Sequence, residues 1–233
     1  MSQWINAFLF GIYPYICLAV FAIGSIIRFD REQYTWRSQS SQLLRRKQLT
    51  WGSNLFHVGI LTILGGHMGG LLTPVAVFEA LGISHTAKQL AAIVVGGVAG
   101  TMCLVGLLLL LHRRLSDARI RRNSSPADIA ILFILLAQLL LGLSSIFVSL
   151  NHLDGSEMIA LMNWAQHIMT LRSGAADFVS GVSLVFKIHL VLGMTIFLIF
   201  PFTRLVHMLS APIWYLGRRG YQIVRTKRTG GRA

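Results

Sequence analysis

The chain has 233 residues, 54% of them hydrophobic and only 12% charged, with a mean hydropathy of +0.64. An average soluble domain is about one quarter charged, so this composition excludes an ordinary soluble fold, and it excludes disorder, which requires low hydrophobicity. The net charge of +13 and isoelectric point near 11.1 would suggest nucleic acid in a soluble chain. Here the apolar stretches leave no room for a soluble DNA-binding motif.

A membrane-spanning helix needs about 20 apolar residues. In chain order the pattern predicts five: 4–27, 51–72, 89–111, 129–150 and 182–208. The first has no basic stretch before it and is too long for a cleaved leader, so it reads as a retained span. The fifth carries Lys187 near one end and Arg204 near the other, with Pro201 between them. Residues 1–208 are expected to form one five-helix domain, followed by a basic tail over 209–233. The tail reads as an orientation signal or a docking surface for a partner. The two cysteines, Cys17 and Cys103, lie inside apolar spans and form no CxxC, so zinc-ribbon, thioredoxin-like and c-type haem sites have no support.

Charge sets the direction. Arg28, Arg31, Arg37, Arg45, Arg46 and Lys47 separate spans one and two. Arg113, Arg114, Arg119, Arg121 and Arg122 separate spans three and four, and Arg218, Arg219, Arg225, Lys227, Arg228 and Arg232 fill the tail. The other face has Lys88, Arg172 and Lys187. The positive-inside bias assigns the basic loops and C-terminus to the cytoplasm and the N-terminus to the outside. The expected class is an all-α polytopic membrane bundle of five transmembrane helices.

Ionisable residues inside spans are rare and functional by default. Four of the eight histidines lie within apolar helix: His57 and His67 in span two, His189 and His207 in span five. His85, His112, His152 and His167 fall at span ends or in loops and read as interfacial side chains. The two spans run in opposite directions, so His57 matches His207 in depth near the basic face, and His67 matches His189 near the other. Their rises disagree. A continuous helix from residue 189 to 207 climbs about 27 Å, and one from 57 to 67 roughly 15 Å. A bend at Pro201 is one way to absorb the difference.

A haem satisfies two facing imidazoles in lipid, because each ring nitrogen gives its lone pair to iron. Two axial imidazoles fill the coordination sphere and favour electron transfer over oxygen chemistry. Two such haems b, one toward each surface, make a wire across the bilayer. Gly65, Gly66, Gly69 and Gly70 flank His67, Gly59 follows His57, and Gly193 lies one turn after His189. They read as space for a flat macrocycle or as close helix packing, the latter favoured for Gly96, Gly97 and Gly100. Arg204, Arg113 and Arg114 are candidate partners of the propionates at the basic face, or snorkelling cations. Lys88, near the depth of His67, is one of few cations on its face and, on the residues alone, can be a flanking anchor.

Several segments carry a wider likeness: IYPYI (12–16), QYTWRSQSSQ (33–42), SNLFHVGIL (53–61), LTP (72–74), LDGSEM (153–158), WAQ (164–166) and KIHLVLGMTIFLIFPFTRLVHM (187–208). Through them the chain resembles the gamma subunit of membrane-bound respiratory nitrate reductase, a dihaem cytochrome b. The stretch 75–87 and the tail resemble it only loosely. The resemblance implies that His57 and His207 bind a cytoplasm-side haem iron, and His67 and His189 an outer one. It implies quinol oxidation in a pocket formed by Lys88, Gly66 and His67, with Lys187 a second candidate for the quinol or a propionate. It implies electron delivery to an iron–sulfur beta subunit and a molybdenum-containing alpha subunit that reduces nitrate to nitrite, in a bacterial inner membrane. The residues alone leave three alternatives: a related dihaem subunit serving another cytoplasmic reductase, a haem-free transporter with a histidine proton relay, and a passive membrane anchor.

Overall fold

The computed structural model describes residues 2–36, 41, 44–210 and 217, and among these there is helix but no strand. Five helices are long and apolar enough to cross a membrane. They are α1 (Gln3–Arg31), α2 (Arg46–Leu72), α4 (His85–Ser116), α6 (Pro126–Asn151) and a fifth over Leu184–Phe202, whose α-helical part is α9 (Leu184–Ile199). Short helices α3 (Val75–Ala80), α5 (Ala118–Arg122) and α8 (Ala175–Phe178), and the longer α7 (Ser156–Met169), lie between them. The all-α five-span class is borne out. Arg37 and the basic residues of the tail lie outside the described residues.

Local signals set the helix starts. Ser84 accepts the Ala87 N–H at 3.1 Å and opens α4 four residues before the expected boundary. Ser125 and Asp128 form a reciprocal capping box, and Pro126 occupies the first turn of α6 where its missing donor costs nothing. The spans pack in the order α2–α4–α6–α9–α1. Between α2 and α4 the backbones touch. A Cβ on Gly106 would lie 2.3 Å from the Phe56 amide nitrogen, and one on Gly59 would lie 2.6 Å from the Ala99 carbonyl. Gly59 is therefore a helix-packing glycine and makes no room for a macrocycle. Close approach through small residues is the usual way for helices to associate in lipid.

Two prolines interrupt the spans, and each break has its own repair. Pro14 has no N–H to offer the carbonyl of Phe10, four residues earlier. The helix widens there into a π-helical turn over Phe8–Ile12. The orphaned Phe10 carbonyl accepts from Trp164 Nε1 at 2.9 Å. Trp164 belongs to α7, whose buried residues Leu161, Met162, Trp164, Ala165 and Ile168 follow helical spacing. From the same helix Gln166 Nε2 donates to the Leu71 and Thr73 carbonyls, both at 3.1 Å, closing the end of α2. Glu157 Oε1 accepts the Ser183 N–H at 2.9 Å where α9 begins.

Pro201 breaks the fifth span. The α-helix ends at Ile199, a 3-10 turn covers Phe200–Phe202, and Thr203 is extended with φ −116° and ψ 176°. A separate 3-10 segment, Arg204–Ser210, carries His207. The single helix expected over 182–208 is thus two pieces, because proline cannot donate to the ladder and clashes with the preceding turn. Arg28 of α1 repairs this break: its Nη1 donates to the Pro201 and Thr203 carbonyls at 2.5 and 2.8 Å, and Nη2 to the Thr35 carbonyl at 3.0 Å. Trp36 Nε1 donates to Ser210 Oγ and ties the far end of the segment to the same loop.

Trp164→Phe removes the donor to the Phe10 carbonyl while keeping most of the buried ring. It is expected to cost about 1–3 kcal/mol, read as a lower midpoint of thermal unfolding in detergent. An unchanged midpoint would mean that the carbonyl finds another donor.

Candidate functional site

The four span histidines meet in two pairs. The rings of His57 and His207 have centroids 6.4 Å apart at an interplanar angle of 70°. Those of His67 and His189 are 6.2 Å apart at 40°. No hydrogen bond joins the rings of either pair. The break at Thr203 removes the mismatch in rise, since residues 189 and 207 do not lie on one straight helix.

Three of the rings are oriented by backbone. His57 Nδ1 donates to the Ser53 carbonyl at 2.7 Å, His67 Nδ1 to Ile63 at 2.8 Å, and His207 Nδ1 to Arg204 at 2.6 Å. A proton committed on Nδ1 leaves the lone pair on Nε2, the tautomer a metal-ligating imidazole needs. His189 differs. Gln138 Nε2 donates to its carbonyl at 3.1 Å and approaches its Nε2 at 3.3 Å. Its Nδ1 is buried without a partner. On α6, Gly142 faces the ring: a Cβ there would lie 3.1 Å from His189 Cε1. Gln138 and Gly142 carry no sequence signal of their own, since one polar residue and one glycine in an apolar helix are ordinary. Gly193 faces Gln138, with 3.2 Å between its would-be Cβ and Nε2.

Two imidazoles bound on opposite sides of one metal, by bonds of about 2.0 Å, hold their centroids about 6.4 Å apart. Both pairs match that spacing. Among the described residues no group of three or more His, Cys, Asp or Glu side chains could hold an ion. Each pair therefore fits a metal that brings its own remaining donors, as haem iron does. Beside His67, a Cβ at Gly65, Gly66, Gly69 or Gly70 would meet nothing within 4 Å, so that face of α2 is open.

Lys88 lies where four helices converge. Its Nζ donates to the Gly70 carbonyl at 2.9 Å, lies 2.8 Å from Met162 Sδ, and sits 3.7 Å from the centre of the Phe78 ring. Gly70 is one turn beyond Gly66 and His67 on α2, so the ammonium is held by the backbone at the glycine-rich end of that helix. Lys187 Nζ donates to the Ser180 carbonyl at 2.7 Å.

The basic-face arginines separate into two groups. Arg113 is buried and committed to the loop before α2, donating to Ser41 O at 2.7 Å, Ser41 Oγ at 2.9 Å and Leu44 O at 2.7 Å. Arg114 and Arg204 converge on Asp128, at 3.8 and 3.9 Å. The remaining histidines have local partners, among them Gln48 for His112 at 3.0 Å and Asn163 O for His167 at 2.8 Å. On the same face Asp117 caps α5 and pairs with Arg45 at 3.3 Å. The Ile120 and Arg119 amides, with Arg45, hold its carboxyl below the usual range.

The family model for the nitrate reductase gamma subunit matches residues 6–227. The chain belongs to that family. It is 53% identical to the gamma chain of respiratory nitrate reductase 2 of Escherichia coli strain K12, over 98% of this chain and 100% of that one. It is 51% identical to the gamma chain of respiratory nitrate reductase 1 of the same strain, over 97% and 99% of the two chains. With the nitrate reductase gamma chain of Bacillus subtilis strain 168 it shares 41% identity, over 94% and 97%. It is thus a multi-pass inner-membrane subunit of a nitrate reductase, an oxidoreductase complex.

Gly24 gives the His207 end a further test. Its Cβ would lie 2.9 Å from Pro201 Cγ. Gly24→Ala is expected to push the broken turn off α1 and cost about 1–3 kcal/mol of stability, with faster proteolysis near residues 200–210 as the readout. Unchanged cleavage there would show that the ring is accommodated without moving the turn.

Proposed function

We propose that this gamma subunit oxidises quinol near the outer face and delivers the electrons, by way of two haems b, to cytoplasmic iron–sulfur and molybdenum-containing subunits that reduce nitrate to nitrite. The observation that carries the reading is the pair of histidine pairs, at metal-bridging spacing and at two depths between the same two spans. His57 and His207 would hold the cytoplasm-side haem, His67 and His189 the outer one. Haem held by these histidines would supply one-electron transfer.

The chain's own residues account for the rest of the chemistry. Backbone carbonyls fix the tautomer of His57, His67 and His207, so their lone pairs are ready without reorganisation. Gln138 and Gly142 confine the His189 ring from the α6 side. Arg204, at the start of the His207 segment, and Arg114, which shares Asp128 with it, are suited to propionates; Arg113 serves the loop instead. Lys187 remains a candidate cation for the outer face.

The open face of Gly65, Gly66, Gly69 and Gly70 admits a flat quinol ring beside His67. Lys88 donates a hydrogen bond to a quinol oxygen and stabilises the charge left when the hydroxyl deprotonates. With the basic loops in the cytoplasm, protons leave outward while electrons travel inward, and each charge moved is worth about 2.3 kcal/mol per 100 mV. Cys17 and Cys103 are buried in α1 and α4, so neither an iron–sulfur nor a molybdenum site has ligands from cysteine here. Nitrate is reduced in the partners.

His207→Ala is expected to abolish one haem spectrum and leave the other; loss of neither would sink the pairing. Lys88→Ala should slow quinol oxidation at least tenfold with both haems retained. Normal turnover at every quinol concentration would make Lys88 an anchor. A topology reporter fused beside Asp154 should read outside, and a cytoplasmic reading would invert the direction of the scheme.

A further inference from the structure

Asp128 is the one buried carboxylate among the described residues, at 5% exposure. It does more than cap α6. Its Oδ2 accepts the Ser125 N–H at 3.1 Å and lies 3.8 Å from Arg114 Nη1, while Oδ1 lies 3.9 Å from Arg204 Nη1. Both guanidiniums are themselves largely buried, at 12% and 19% side-chain exposure. Burying a charge is costly unless an opposite charge accompanies it, so Asp128 is what allows two arginines to stand together at this depth.

Arg204 opens the 3-10 segment that carries His207, and its carbonyl accepts from His207 Nδ1 at 2.6 Å. Because Thr203 is extended, this segment is not continued from α9 and needs its own anchors. Leu205 and Val206 supply the apolar one, packing in the cluster with Ile131, one turn after Asp128 on α6. The ion pair from Arg204 to Asp128 supplies a polar one at its start, as Trp36 does at its far end.

We propose that Asp128 is a positioning residue for the His207 haem site, fixing the Arg204 turn that orients the imidazole and setting the local charge beside the iron. The inference rests on the reading that His57 and His207 hold a haem. One carboxylate between two guanidiniums leaves a net positive cluster. Neutralising the carboxylate makes it more positive and favours the reduced iron, so the midpoint potential on this side rises. If the carboxylate acted only through its helix cap, breaking the cap at Ser125 would move the potential as far as removing the charge.

The test is a spectroscopic redox titration of the intact complex, with the transition from the His207 side identified by its absence in His207→Ala. Asp128→Asn is expected to shift that transition upward by three- to tenfold in the one-electron equilibrium, tenfold being 59 mV, and to leave the outer one in place. Asp128→Glu keeps the charge and is expected to stay within threefold of the unmodified protein. Ser125→Ala removes the cap but not the charge, and is expected to shift neither transition. The proposal is overturned if Asp128→Asn leaves both potentials in place at full haem content. It is equally overturned if Ser125→Ala shifts the transition as far, or if Asp128→Glu loses the haem together with Asp128→Asn. Absence of haem from the unmodified complex would instead refute the function proposed above, a distinguishable outcome.

Discussion

Inside lipid every backbone polar group must find a partner within the protein, since water is not there to supply one. The architecture of this subunit is organised around its departures from straight helix and the side chains that satisfy them. Pro14 orphans a carbonyl, and Trp164 reaches it from α7. Pro201 and Thr203 end the fifth span early, and Arg28 crosses from α1 to bind both carbonyls. The end of α2 is closed by Gln166. Each repair joins elements distant in sequence, so the same bonds that satisfy the backbone also lock the bundle.

These repairs govern the site. His207 can match His57 because the chain leaves the helical path at Thr203, and Arg28, Trp36 and Asp128 hold the departing segment. His67 lies one turn before the glycine-lined end of α2 that Gln166 and Lys88 both engage. The backbone contact of α2 with α4 through Gly52, Gly59 and Gly106 fixes one face of α2. His57 points away from that contact, while Gly66 and Gly70 continue the packing stripe into a stretch where a Cβ would meet nothing.

Much of this was legible in the sequence. Apolar length and charge asymmetry set the number of spans, and ionisable residues in apolar helix singled out the four histidines and their grouping by depth. Three of the segments behind the family likeness turn out to satisfy backbone or close a turn. IYPYI contains Pro14 and the end of the π turn it causes, WAQ supplies the Trp164 and Gln166 donors, and LDGSEM holds the left-handed Gly155 and Glu157. Other features were hidden. A proline in an apolar run signals a bend but not where the chain resumes, so the break at Thr203 could not be placed. Glycine has no side chain to reveal its neighbour, so packing Gly59 and open Gly66 look alike. The α7 helix, at 14 residues, is too short to stand out between spans. Arg113 and Arg114 are adjacent in sequence, yet one serves a loop and the other Asp128.

The central claim is that each chain holds two haems b between its two histidine pairs. A reduced-minus-oxidised visible spectrum of the purified complex, with haem and subunit quantified together, tests it most directly. The expected result is two b-type haems per gamma chain, one of them lost in His207→Ala. A folded subunit without haem would contradict it and return the four histidines to a proton-relay or structural role.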